Sequence, residues 1–184
     1  MKPEKIKAAI GIGIILLLFV LSSYLVQKNL DIIQNRLGEN PLSMIIYVDL
    51  LIIATVIAPI NAMPLLPVAS HLWGWIIAAL LSIAGWSIGS IIAFALARKY
   101  GAPLVKKFIS LEKISRYEKD IPQKNIFWGI IFLRITIPAD ILSYSLGLFS
   151  HIKFKTYLIA TIIGLSPFAF IFAFIGSLPV FYQI

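Results

Sequence analysis

Residues 132–147 read FLRITIPADILSYSLG. The run is hydrophobic enough for a lipid bilayer, yet it holds Arg134, Pro138 and Asp140 within seven residues. On insertion scales a charge at the bilayer centre costs about 2.5–3.5 kcal/mol, so two unpartnered ones would cost roughly 5–7 kcal/mol. That rivals the net stability of a whole domain, about 5–15 kcal/mol. Arg134 and Asp140 must therefore be paired or hydrated. In one unbroken helix, positions six apart point about 120° away from each other. Pro138 ends the first limb, because proline lacks an N–H and clashes with the preceding turn. A hairpin can then bring Arg134 and Asp140 to one cavity, with Ser143, Tyr144 and Ser145 adding donors and Gly147 permitting a tight exit.

Three readings of this constellation stand side by side. It is a structural ion pair that fixes the hairpin. It is a binding site in which Arg134 holds an anionic head group such as a phosphate, which a guanidinium suits. Or Asp140 also accepts a proton coupled to transport, which is compatible with the second reading.

The surrounding composition sets the class. The chain has 184 residues, 60% hydrophobic, with a mean hydropathy of +0.95. Soluble domains average roughly 45–50% apolar residues. The excess lies in long runs, so an integral membrane protein of one domain is expected. Cysteine is absent and His71 and His151 are the only histidines. No thiol chemistry, metal or cofactor is expected. The formal net charge of +8 reports topology and anionic lipid surfaces rather than nucleic acid.

Ala8 to Val26 is an uncharged run of 19 residues, nearly enough for a ~30 Å core. A retained N-terminal anchor is the expectation, since the run is long for a signal peptide and no A-x-A site follows. Residues 1–43 thus form the anchor and a polar connection. The segment 44–74 is interrupted by Pro59, Pro64 and Pro67, three prolines in nine residues. Asn61 and His71 are its polar candidates, with Asp49 at its entrance. Trp75 to Ala97 is a clean span, and Gly85, Gly89, Ala93 and Ala97 fall four apart on one face. Such a stripe lets another helix approach closely. Residues 103–121 carry apolar side chains every three or four positions among lysines, as an amphipathic helix on the membrane surface would. A solvated connecting helix is the plainer alternative. The last span, 156–176, contains Pro167, expected to kink it.

Basic clusters at 2–7 and 98–124 put the N-terminus and the amphipathic helix in the cytoplasm. The two proline-broken segments, 44–74 and 126–150, then each start and end on one side. They read as re-entrant hairpins dipping in from opposite faces. Irregular backbone at that depth is tolerated where protein or a watery cavity covers it. A weak internal repeat agrees: SHLWGWIIAALLSIAG (70–85) resembles SHIKFKTYLIATIIG (150–164). Inverted repeats of this kind place a site where the broken halves meet. The expected fold is thus an all-α integral membrane protein, with about three spanning helices and two opposed hairpins. No G-x-S-x-G, H-E-x-x-H, P-loop or G-x-G-x-x-G occurs in a usable context, so no enzyme is expected.

The stretch FLRITIPADILSYSLGLFSHIKFKTYLIATIIGLSP resembles the second half of the DedA family, also called VTT-domain or SNARE-associated Golgi proteins. Phe132, Arg134, Asp140, Tyr144, Gly147, Phe154, Gly164 and Pro167 match, and Pro138 falls near the family's proline. In PLLPVASHLWGWIIAALLSIAGWSIGSIIAFALARKYG, Pro64, Pro67, Gly74, Gly85, Gly89, Phe94, Arg98 and Gly101 match. The resemblance spans about 45–177. It implies paired re-entrant hairpins and movement of lipids between leaflets, as a scramblase or flippase, often with a proton. In bacteria the lipids are polyprenyl-phosphate carriers and phosphatidylethanolamine, which points to the plasma membrane of a prokaryote.

Two departures bear on function. Many members carry an acidic residue in the first hairpin, whereas 59–70 has none. Proton coupling would then rest on Asp140. Many members also have a further C-terminal helix, so a shorter branch or a homo-oligomer is expected. The candidate lipid-binding residues are Arg134, Asp140, Tyr144, Ser143 and Asn61. Pro59, Pro64, Pro67, Pro138 and Gly147 would shape the hairpins. Gly85, Gly89, Ala93 and Gly164 would pack helices. The rival functions are a small ion or solute transporter using the same cavity and a non-transporting membrane scaffold.

Overall fold

A computed structural model of the chain describes residues 40–57, 62–105, 125–137 and 139–178, together with Leu17, Leu21, Tyr24 and Lys28. Pro59, Asn61, Pro138, most of the N-terminal run and most of the amphipathic segment 103–121 lie outside the described residues. Within them all regular structure is helical.

The first helix, α1, is Pro41–Val56. Pro41 occupies its first turn, where a missing N–H costs nothing, and the Asn40 side chain accepts from the Leu42 N–H at 2.9 Å. After a break comes α2, Leu65–Trp73, with Pro64 just before it and Pro67 in its first turn. Gly74, at φ +78°, turns the chain directly into α3, Trp75–Tyr100. Gly101, at φ +65°, ends α3 and leads into the short α4, Ala102–Val105. The second half repeats the order. Helix α5 is Ile126–Thr136, α6 is Ala139–Phe149, and α7 is Phe154–Ser177, continuing through Pro167.

Only α3 and α7, of 26 and 24 residues, are long and apolar enough among the described residues to cross a membrane. At about 1.5 Å per residue either exceeds a ~30 Å hydrocarbon core. The limbs α5 and α6 have 11 residues each, or about 16 Å, roughly half that thickness.

Packing is exchanged between the halves. Helix α3 packs on α1 of its own half and α6 of the other; α7 packs on α5 of its own half and α2 of the other. The long helices also pack on each other. Glycine makes each crossing close. A Cβ at Gly85 would come within 2.7 Å of Leu51 Cβ, and one at Gly89 within 2.6 Å of Thr55 Cβ, both on α1. The small-residue stripe of α3 therefore serves two partners: its first half faces α1, while Ala93 and Ala97 join a cluster with Tyr144 of α6.

Gly147 corrects one expectation. It is not a turn at a hairpin exit but a buried residue inside α6. A Cβ there would lie 2.5 Å from Ala97 Cβ and 2.6 Å from the Phe94 carbonyl oxygen of α3. Helix α6 continues two residues further, and the absence of a Cβ at 147 is what permits the crossing.

The core is apolar, yet large apolar side chains also line the outside and a set of polar ones is buried. Trp128 and Phe132 are each 69% exposed, and Leu42, Ile45, Leu50, Ile163 and Phe174 also face outward. Ser82, Ser90, Arg134, Ser143, Ser145 and Thr161 are buried. Apolar groups outside and hydrogen-bonding groups between helices suit a lipid solvent.

Candidate functional site

Arg134 is 4% exposed, in the last turn of α5. Its Nη1 donates to the Ala139 carbonyl of α6 at 2.8 Å, linking the end of α5 to the start of α6. Its Nη2 lies 3.0 Å from the Tyr157 hydroxyl, 3.0 Å from the Thr161 hydroxyl and 3.2 Å from Ser143 Oγ. All four partners are neutral oxygens. Nη2 carries two hydrogens for three oxygens, whereas buried Nε has no hydrogen-bond partner. The guanidinium is therefore crowded with acceptors on one side and has an N–H to spare on the other.

Sequence reasoning missed Tyr157 and Thr161. They lie four apart on α7, with Gly164 three further on, so they form one helical stripe. A Cβ at Gly164 would sit 2.9 Å from Arg134 Cβ. Gly164 thus brings the α7 backbone against the arginine stem, and Tyr157 and Thr161 meet its head. The same crossing in the first half, at Gly85, is occupied by Leu51. Three residues earlier stands a hydroxyl in each half. Ser82 donates to the Ala78 carbonyl and meets the Tyr47 hydroxyl of α1 at 2.7 Å; Thr161 meets Arg134 of α5. At both crossings a hydroxyl stands three residues before the glycine, and among the described residues the one at Gly164 meets a cation.

The remaining candidates divide. Ser143 joins the site, donating to the Ala139 carbonyl and meeting the Tyr157 hydroxyl at 3.0 Å. Tyr157 itself donates to the Ser90 carbonyl of α3 at 2.9 Å, tying the site to the long helix of the first half. Ser90 Oγ is buried with no hydrogen-bond partner. Asp140 is half-buried in the first turn of α6, where the helix dipole favours a carboxylate. Arg134 meets the carbonyl of the preceding residue. Tyr144 donates to the Val56 carbonyl at the end of α1 and lies within electrostatic reach of Asp140. His71 Nδ1 lies 2.7 Å from the Pro67 carbonyl within α2. Among the described residues no group of three or more His, Cys, Asp or Glu side chains could hold a metal.

The family model of the VTT domain matches residues 59–178, from the first broken segment to the end of α7. The chain belongs to the VTT domain family. No curated protein and no solved structure matches it. The matched VTT domain contains Arg134, its hydroxyl partners and both candidate spans. Membership and the two apolar helices together point to a membrane protein.

Proposed function

We propose that this VTT domain moves phosphate-bearing lipids between the leaflets of a membrane. The observation that carries the reading is Arg134: a buried guanidinium held by neutral oxygens, with an N–H left without an acceptor. Burying a charge with no counter-charge on its donors is costly. A guanidinium with a vacant N–H matches an anionic oxygen, and phosphate, like carboxylate, has the geometry that fits the fork. The head group would approach Nε and displace one of the three oxygens crowding Nη2.

The architecture supports a path to that site. The half-thickness limbs α5 and α6, and α1 with α2, are read as two re-entrant hairpins from opposite faces, related as an inverted repeat. The exchanged packing of α3 and α7 is what such a repeat would produce. Asp140, on the α6 turn beside the site, would take a proton when the head group leaves. The partners are anionic lipid head groups, and the function is transport without covalent chemistry. The host membrane is the plasma membrane of a prokaryote, with the N-terminus in the cytoplasm by the positive-inside rule.

The test is head-group accessibility of a labelled phospholipid in liposomes containing the purified chain. Acceleration over empty liposomes, lost in Arg134→Gln, is expected. No acceleration overturns lipid transfer. Proton-dependent flux of a small ion in the same vesicles would favour a solute transporter, and neither signal would favour a scaffold.

A further inference from the structure

We infer that Arg98, at the end of α3, is a positioning residue for Arg134; the inference assigns a support to the site on which the transport reading rests. Two stacked rings connect the two guanidiniums. Arg98 Cζ lies 4.4 Å from the centroid of the Phe94 ring, one turn earlier on α3. The Phe94 ring stacks on Tyr157, with centroids 4.0 Å apart and planes 13° from parallel. Tyr157 meets Arg134, whose Cζ lies 5.7 Å from its ring centroid and whose Nη2 contacts its hydroxyl.

Arg98 also holds the ends of the helices that carry the other donors and acceptors. Its Nη1 donates to the Ile152 carbonyl at 2.7 Å, and its Nη2 to the Ser150 carbonyl. Both carbonyls lie in the connection between α6 and α7. Ser143 precedes that connection, while Tyr157 and Thr161 follow it. One guanidinium thus sets where α6 ends, where α7 begins and which ring faces Arg134. Arginine is required because its planar fork reaches two carbonyls while its face lies on a ring; a lysine ammonium does one or the other. Arg98 makes none of the hydrogen bonds to Arg134 and acts only through Phe94, Tyr157 and the turn.

The chain has four arginines, Arg36, Arg98, Arg116 and Arg134, so their side-chain N–H signals are resolvable. The experiment is 15N NMR of the full chain, arginine-labelled, in lipid nanodiscs, with Arg134→Lys assigning the Arg134 Nε–H. Phe94→Leu and Arg98→Gln should each move that resonance, and Phe94→Tyr, which keeps the ring, should leave it in place. Arg98→Lys should fail to restore it. In the liposome assay each disruptive variant should raise the lipid concentration for half-maximal transfer about five-fold or more, the scale of coupling between linked sites. A lowered melting temperature with an unmoved Arg134 resonance overturns the positioning role. If the resonance moves but the wild type transfers no lipid, the transport reading falls and the positioning role stands.

Discussion

The hydroxyl of Tyr144 donates to the backbone carbonyl of Val56 at 2.8 Å, across 88 positions of sequence. Val56 is the last residue of α1, and the last carbonyls of a helix have no partner within it. A side chain of α6 thus caps the helix before the break in the first half. The middle of α6 is thus joined to the point where the first segment is interrupted.

Tyr144→Phe tests that join. The ring remains and one hydrogen bond goes. A loss of about 0.5–1.5 kcal/mol is expected, rising to about 1–3 kcal/mol if the Val56 carbonyl stays buried without water. Thermal unfolding in detergent measures it. An unchanged midpoint would mean that the bond is not held in solution.

Gly147→Ala should be more damaging than Gly164→Ala. At Gly147 the new methyl meets the Phe94 carbonyl and Ala97 Cβ, neither of which can swing aside. A cost of about 1–3 kcal/mol is expected from such overpacking. At Gly164 the nearest atoms are the Arg134 stem at 2.9 and 3.0 Å. These overlaps are smaller than at Gly147, although they too meet a Cβ and, at 3.2 Å, the Ile131 backbone, so stability should fall less, while lipid transfer falls more because the guanidinium shifts with its stem. Melting and transfer assays on both variants give the ranking.

Arg134→Met should separate stability from function. The oxygens that hold Arg134 are neutral, so an apolar side chain of similar length removes the cost of burying a charge and leaves no uncompensated charge among them. Ser143 and Tyr157 keep their bonds to the Ala139 and Ser90 carbonyls. Transfer should be lost while the melting temperature holds or rises. A collapse in stability would instead assign Arg134 a structural role.

The proposed arrangement of opposed hairpins makes a topological prediction. The sequence contains no cysteine, so a single Asn61→Cys can be labelled without background. Labelling from outside is expected. Labelling only from the cytoplasmic side would overturn the arrangement.

Much of this was legible in the sequence, and the limits have physical causes. Pro64 and Pro138 announced the interruptions, because proline removes a donor wherever it stands. Trp75–Tyr100 announced itself by length and apolarity. Arg134 was conspicuous because a charge in an apolar run has a known cost. Its partners were not conspicuous. Tyr157 and Thr161 lie 23 and 27 residues away, on a helix where a tyrosine and a threonine are ordinary. Only the crossing at Gly164 brings them to the guanidinium. Gly147 was misread because a glycine near a helix end suggests a turn as readily as a close contact; the choice depends on α3, some fifty residues earlier. Asp140 was set beside Arg134 by charge, and what the sequence did not show is that the guanidinium also reaches the carbonyl of Ala139, its neighbour in the first turn of α6.

The exchanged packing also constrains how the chain is made. When α3 leaves the ribosome, α1 is available to cover Gly85 and Gly89, but the surface around Ala97 waits for Gly147 of α6. Pro67 of α2 waits longer still, for Gly176 in the last turn of α7. Each half packs on itself in part, but neither completes its contacts alone during synthesis. The first half must be inserted with two grooves open to lipid, and the final contact forms only as the last turn of α7 emerges. A fragment ending before α6 should therefore be short-lived in cells, whereas the two halves supplied as separate chains should stabilise each other.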